Sequence, residues 1–169
     1  MSSEMMDKTA SSGVTSTGCC EPFNPDPWQE KEIVWKDKIF VRDHLTSFLH
    51  IPLNMGSKVT KNMALIEKAN AKAPQQLMLT DEKSPWSADI YIDVARDVPN
   101  AEMATLSGKY LTKVFEGPFK DAGKWAQEMK GYVESKGKKL GKLYFSYTTC
   151  PKCAKAYGKN YVVLIAQVD

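Results

Sequence analysis

Histidine and cysteine are scarce in this chain, with two and four residues among 169. A structural zinc site usually takes four such ligands. Only Cys19 and Cys20 could complete a site begun by Cys150 and Cys153, and adjacent cysteines chelate one ion poorly. His44 and His50 stand in one alternating segment with no ligand spacing of their own. The sequence therefore predicts no metal centre and no cofactor. Long apolar runs are also missing. None approaches the roughly 20 residues that span a bilayer, and the first 20 residues, MSSEMMDKTASSGVTSTGCC, lack the apolar centre of a secretory leader. Together with the few cysteines this predicts a reducing, cytoplasmic location, where disulfides are not the default. One-sided charge is absent too: 23 basic against 20 acidic residues give a net charge of +3. The one lysine cluster, Lys136, Lys138, Lys139 and Lys142, falls at a predicted helix exit, where cations complement the helix dipole. Neither nucleic acid nor membrane is an expected partner.

What the chain does have is an ordinary globular composition, 43% hydrophobic and 25% charged. Residues 1–29 read as a tail. Its first part is rich in Ser, Thr and Gly, and EPFNPDPW is an extended lead-in that lays Phe23 and Trp28 on the domain surface. Residues 30–169 read as a single domain.

That domain contains a repeat. The segment from Leu45 aligns without gaps to the segment from Leu111, 66 positions further on. Leu45 meets Leu111, Thr46 meets Thr112, Pro52 meets Pro118, Lys58 meets Lys124 and Met63 meets Met129. Each pseudo-repeat, about 38–98 and 101–169, opens with alternation at period two, over 39–49 and 103–115, which predicts a half-buried strand. Pro52 and Pro118 end these strands. A helix follows in each. Val59, Met63 and Ile66 make the apolar stripe in one, and Trp125, Met129 and Tyr132 make it in the other, with Gly137 as the stop. QLMLTDE and ADIYIDV close the first half as strands, and KLYFSY and YVVLIAQV close the second. The expected fold is α+β: duplicated strand–helix–strand–strand modules forming one mainly antiparallel sheet. Two helices cover one face, and a concave ligand cleft is left on the other.

The Cys150–Cys153 segment lies in the last hairpin, where the second half is eight residues longer than the first. A thioredoxin-type centre would need a strand leading into a long helix within a parallel unit, which is missing. A short helical insert over one mouth of the cleft fits better. Several other residues mark the cleft. His50 and Glu116 are equivalent strand-end residues, each just before an x-Pro break. Phe48 and His50 share one strand face, and Tyr110 and Glu116 share its counterpart. Trp86 follows a proline in a loop, with Glu82 four residues earlier, and Tyr147 ends the penultimate strand, with Asp81 as its counterpart at the same offset.

The strand ending in Glu116-Gly117-Pro118-Phe119, followed by an amphipathic helix that ends in Lys-Gly, resembles the GyrI-like small-molecule-binding superfamily over Lys38 to Val168. The resemblance implies a cleft between the halves for apolar, often aromatic molecules. Some members are effector domains of drug-sensing regulators. Another branch hydrolyses strained cyclopropane rings in DNA-alkylating compounds. No helix-turn-helix fits before Lys38, so this chain looks like a stand-alone member near the hydrolase branch. Where many members carry a glutamate two residues before the tyrosine of the penultimate strand, this chain has Phe145. On this reading Glu116, or Glu82 in its place, deprotonates water and Tyr147 hydrogen-bonds the substrate carbonyl. His50, Phe48, Glu82, Trp86 and Tyr110 line the site. The alternative is a binder that sequesters or senses the same molecules without changing them.

If the cysteines hold no structural metal, excess EDTA leaves the far-ultraviolet circular dichroism and the melting temperature unchanged. Unfolding on chelation would contradict this reading.

Overall fold

The computed structural model describes residues 24–48, 51–74, 77–147 and 161–168, with the backbone alone at 51, 52 and 119. Phe23, His50 and all four cysteines lie outside these residues. The described chain forms β1 (Lys31–Phe48), a two-residue β2 (Ile51–Pro52), α1 (Met55–Lys68), β3 (Met78–Ser84) and β4 (Ser87–Asp93). It then repeats the pattern as β5 (Glu102–Glu116), α2 (Ala122–Ser135), β6 (Leu140–Tyr147) and β7 (Tyr161–Val168).

Both helices form where the three- and four-residue apolar spacing predicts. Trp125, Met129 and Val133 are the buried stripe of α2. Gly137 adopts φ 73° and ends this helix, with its own N–H donating to the Glu134 carbonyl at 3.0 Å. Gly117, between β5 and the turn into α2, has φ 150°, and a Cβ there would stand 3.3 Å from the Trp125 ring. Both constraints select glycine at this point. In α1 the buried polar residue Asn62 donates to the Asp43 carboxylate of β1 at 2.7 Å, which fixes the helix on its sheet.

The strands are antiparallel, in the order β1-β4-β3-β6-β7-β5, and β5 pairs back onto β1. The second half repeats the order of the first about the β3–β6 joint. Closure turns the sheet into a six-stranded barrel, and this corrects the expected open sheet with a concave cleft. The cause is the length of β1. Alternation marks it only from residue 39, but it begins at Lys31 and pairs with β5 from Lys31–Thr112 to Arg42–Glu102, across an irregularity between Trp35 and Lys38. That irregularity hides the first part of the strand from a period-two reading.

Three cores result. Ile66 of α1 packs with Val41, Leu45, Ile90 and Ile92 on the outside of the first half. Trp125, Met129 and Val133 of α2 pack with Leu111, Phe115, Phe145 and Leu164 on the outside of the second. The third core is the barrel interior, where the concave face is occupied by Phe40, Leu79, Tyr91, Tyr110, Tyr144 and Ile165. Tyr91 and Tyr144 meet edge to face at 5.8 Å, and Trp35 lies 4.6 Å from Tyr110 between ring centroids. Trp28 packs against this interior cluster rather than lying on the outer surface. Thr112 Oγ1 donates to the Trp28 carbonyl at 2.6 Å and anchors it there.

Polar residues line the interior face beyond the rings. Asp81 and Asp89 stand directly opposite each other on β3 and β4, an arrangement that costs energy unless cations intervene. Arg42 Nε donates to Asp89 at 3.1 Å, Lys142 Nζ donates to Asp81 at 3.2 Å, and Lys83 lies 3.5 Å from both carboxylates. Burial disfavours the Asp89 carboxylate, but Arg42, His44 and Lys83 outweigh it and hold its pKa below the ordinary value. Asp93 is different: burial raises its pKa even against Lys38 at 3.0 Å.

The two aspartates should therefore respond oppositely to neutralisation. Asp89→Asn removes a carboxylate from the cations Arg42 and Lys83 and should cost roughly 2–3 kcal/mol at neutral pH. Asp93→Asn should lie within about 1 kcal/mol of wild type or be stabilising. Asp89 has a depressed native pKa, so its contribution is present above its unfolded value of about 3.9 and is lost as pH falls through the lower folded value. Denaturant unfolding of both variants across the acid range checks the sign.

Candidate functional site

β3 and β6 join the two halves through one bridge, Thr80 with Phe145. α1 lies over the outer face of the first half and α2 over that of the second, so this seam runs between the two helices. Residues paired across an antiparallel joint share a face. Phe145 belongs to the outer core under α2, so Thr80 is on the outer face, and Glu82 and Tyr147, each two residues along, share it.

On that face Tyr147 stacks on Phe145, with ring centroids 6.3 Å apart and planes 15° apart. Its phenol is hydrogen-bonded to Glu82, so the pair reaches across the seam. Burial is the main cause that pushes the Tyr147 pKa well above the ordinary tyrosine value, and the Glu82 charge and hydrogen bond add to it. Tyr147 thus keeps its proton at neutral pH and donates it to the carboxylate. Both side chains are half-buried.

The register also revises one correspondence. A uniform offset of 66 makes Asp81 the counterpart of Tyr147. The Thr80–Phe145 bridge instead relates Glu82 to Tyr147 about the seam. A slip of one residue exchanges the faces of a strand: Asp81 meets the exposed Lys142 on the barrel-lining face, while Glu82 meets Tyr147 on the outer face. No signal in the repeat alignment alone marks this slip.

The other sequence-predicted residues lie elsewhere. Glu116 is exposed at the end of β5, paired with Tyr161 of β7. Its neighbour Phe115 faces α2, on the side of Tyr147, so Glu116 is on the opposite face of the sheet. Tyr110 is fully buried inside the barrel, its hydroxyl donating to the Ser107 carbonyl at 3.3 Å. Phe48 and Trp86 make an edge-to-face pair at 5.6 Å near the β3–β4 turn, and each is more than half exposed. His50 and the cysteine segment lie outside the described residues. Among the described residues no group of three His, Cys, Asp or Glu side chains is placed to hold a metal ion, and no helix is long and apolar enough to cross a membrane.

Solved structures share this fold. The C-terminal domain of EcmrR aligns with a TM-score of 0.60 at 11% identity, over 84% of this chain and 98% of that one. A hydrolase from Listeria innocua aligns with a TM-score of 0.61 at 12% identity, over 83% and 92%. SAV2435, solved with bound tetraphenylphosphonium, aligns with a TM-score of 0.54 at 11% identity, over 83% and 94%. No curated protein sequence matches the chain. The family model described as bacterial hydrolase, however, matches residues 10–168, nearly its whole length, and the chain belongs to that family.

Proposed function

We propose that this protein hydrolyses a flat, apolar, strained electrophile of the cyclopropane-fused type, bound over the β3–β6 seam, and that Glu82 and Tyr147 carry the reaction. The observation behind this assignment is the hydrogen bond that joins these two groups across the seam. Family membership supports hydrolysis, and the Phe145–Tyr147 stack supports an aromatic substrate.

In this reading Tyr147 fixes the Glu82 carboxylate, which accepts a proton from water. The water oxygen bonds to the strained ring carbon. The ring carbon–carbon bond breaks, and its electron pair passes through the conjugated system to the carbonyl oxygen. The proton taken from water is then delivered to that oxygen, so the net change is addition of water. Glu116 is the competing base suggested by the sequence. Its position on the opposite sheet face favours Glu82. Phe145 occupies the place of the carboxylate common in similar proteins, and Glu82 supplies a carboxylate from the other half.

A second reading, binding without chemistry, has its own support in the structural likeness to SAV2435 with its bound tetraphenylphosphonium and in the exposed Phe48–Trp86 pair. Recovery of the ligand separates the two: hydrolysis returns the water adduct, binding alone returns the compound intact.

Mass spectrometry of a cyclopropane-fused dienone incubated with the protein tests the assignment. Glu82→Gln should lose on the order of 10²-fold or more in rate, Tyr147→Phe about tenfold or more, and Glu116→Gln should retain activity. Because the Tyr147 pKa is raised, its ionisation imposes no alkaline fall in rate below about pH 10. Full activity in Glu82→Gln would transfer the role of base elsewhere.

A further inference from the structure

Thr80 sits at the centre of the seam, 2% exposed, and its Oγ1 is the one buried side-chain polar atom without a hydrogen-bond partner among the described residues. Most buried hydroxyls find a partner, because leaving one unmade forfeits the hydration it had in the unfolded chain. Neighbouring polar groups show how readily this fold satisfies them. Thr112 Oγ1 bonds the Trp28 carbonyl and Asn62 bonds Asp43. A valine would fit the Thr80 position in a central strand with similar volume and no unmet hydrogen bond. The hydroxyl is therefore a local cost in the free protein.

Its surroundings suggest what offsets the cost. Thr80 faces outward beside Phe145, its bridge partner, and lies two residues from Glu82. Glu82 and Tyr147 are engaged with each other. A planar molecule bound over the seam would meet the sheet face that carries Thr80, Phe145 and Tyr147.

We infer that Thr80 is a specificity-determining residue that donates a hydrogen bond to a neutral acceptor oxygen, a ketone or dienone carbonyl, on an aromatic ligand bound over the seam. This rests on the seam being the binding site, as proposed above. It deepens that reading by naming the feature selected: an uncharged carbonyl on a flat ring system. In hydrolysis the same oxygen receives the electron pair as the ring opens, and the hydroxyl stabilises the charge by hydrogen bonding, with no bond to Thr80 made or broken.

A matched pair of probes isolates the claim. Fluorenone and fluorene share one planar frame and differ in the carbonyl oxygen. By equilibrium dialysis, wild type should bind fluorenone about tenfold more tightly than fluorene. In Thr80→Val the ratio should fall to about one with fluorene affinity unchanged, and Thr80→Ser should restore it. Thr80→Val should melt no lower than wild type, since it removes an unpaired buried hydroxyl. Equal wild-type affinities, no binding of either probe, or an undiminished ratio in Thr80→Val would overturn the inference. The wild-type ratio alone decides even if the valine variant does not fold. Turnover of the cyclopropane-fused dienone is scored separately. Lost turnover with an intact ketone preference removes the hydrolytic assignment, and turnover without that preference removes the role of Thr80.

Discussion

The pairing of β1 with β5 is the contact on which the rest of the molecule depends. It runs from Lys31–Thr112 to Arg42–Glu102 and uses the long first strand of each half. Without it the sheet would end in two open edges, each a template for unwanted pairing. With it the concave face becomes an interior, and the helices are held on the outside. The opposite joint is left short, a single bridge between Thr80 and Phe145. Closure on one side thus makes the β3–β6 seam the place where the two halves meet with least backbone between them. Side chains reinforce it on both faces: Lys142 to Asp81 within and Tyr147 to Glu82 without.

The interior explains a second constraint. Rings and aspartates share one concave surface. The rings satisfy one another by packing. The facing Asp81 and Asp89 are tolerated because Arg42, Lys83 and Lys142 stand among them. Tyr110 and Tyr144 have raised pKa values, chiefly through burial, and stay neutral there. The chain thus uses its concave face to hold the barrel together, and the Glu82–Tyr147 pair lies on the outer face instead.

Much of this was legible in the sequence. Period two and period 3.6 located most strands and both helices, and the repeat gave two modules of the same order. Pro118 marked the end of the strand that leads into α2, because proline cannot donate to a ladder. Two things were not legible. Closure depends on residues 31–38, where charged side chains and an irregular register interrupt the alternation that betrays a strand. The face of the site depends on register across the seam, which a gap-free repeat alignment misplaces by one residue. Tyr147 and Glu82 were both candidates from their types and positions, but their contact required the Thr80–Phe145 bridge. Thr80 itself carries no mark in sequence, since a threonine in a strand is the ordinary choice.

The local two-fold relation at the seam makes Glu82 and Tyr147 equivalent positions with different occupants. Two identical modules brought together about that axis would present the same group twice. Twin carboxylates would repel, and twin phenols would lack a strong acceptor. A donor facing an acceptor requires that the halves differ, and joining them in one polypeptide lets each drift independently. The donor–acceptor pair at the seam is, in that sense, a product of broken symmetry.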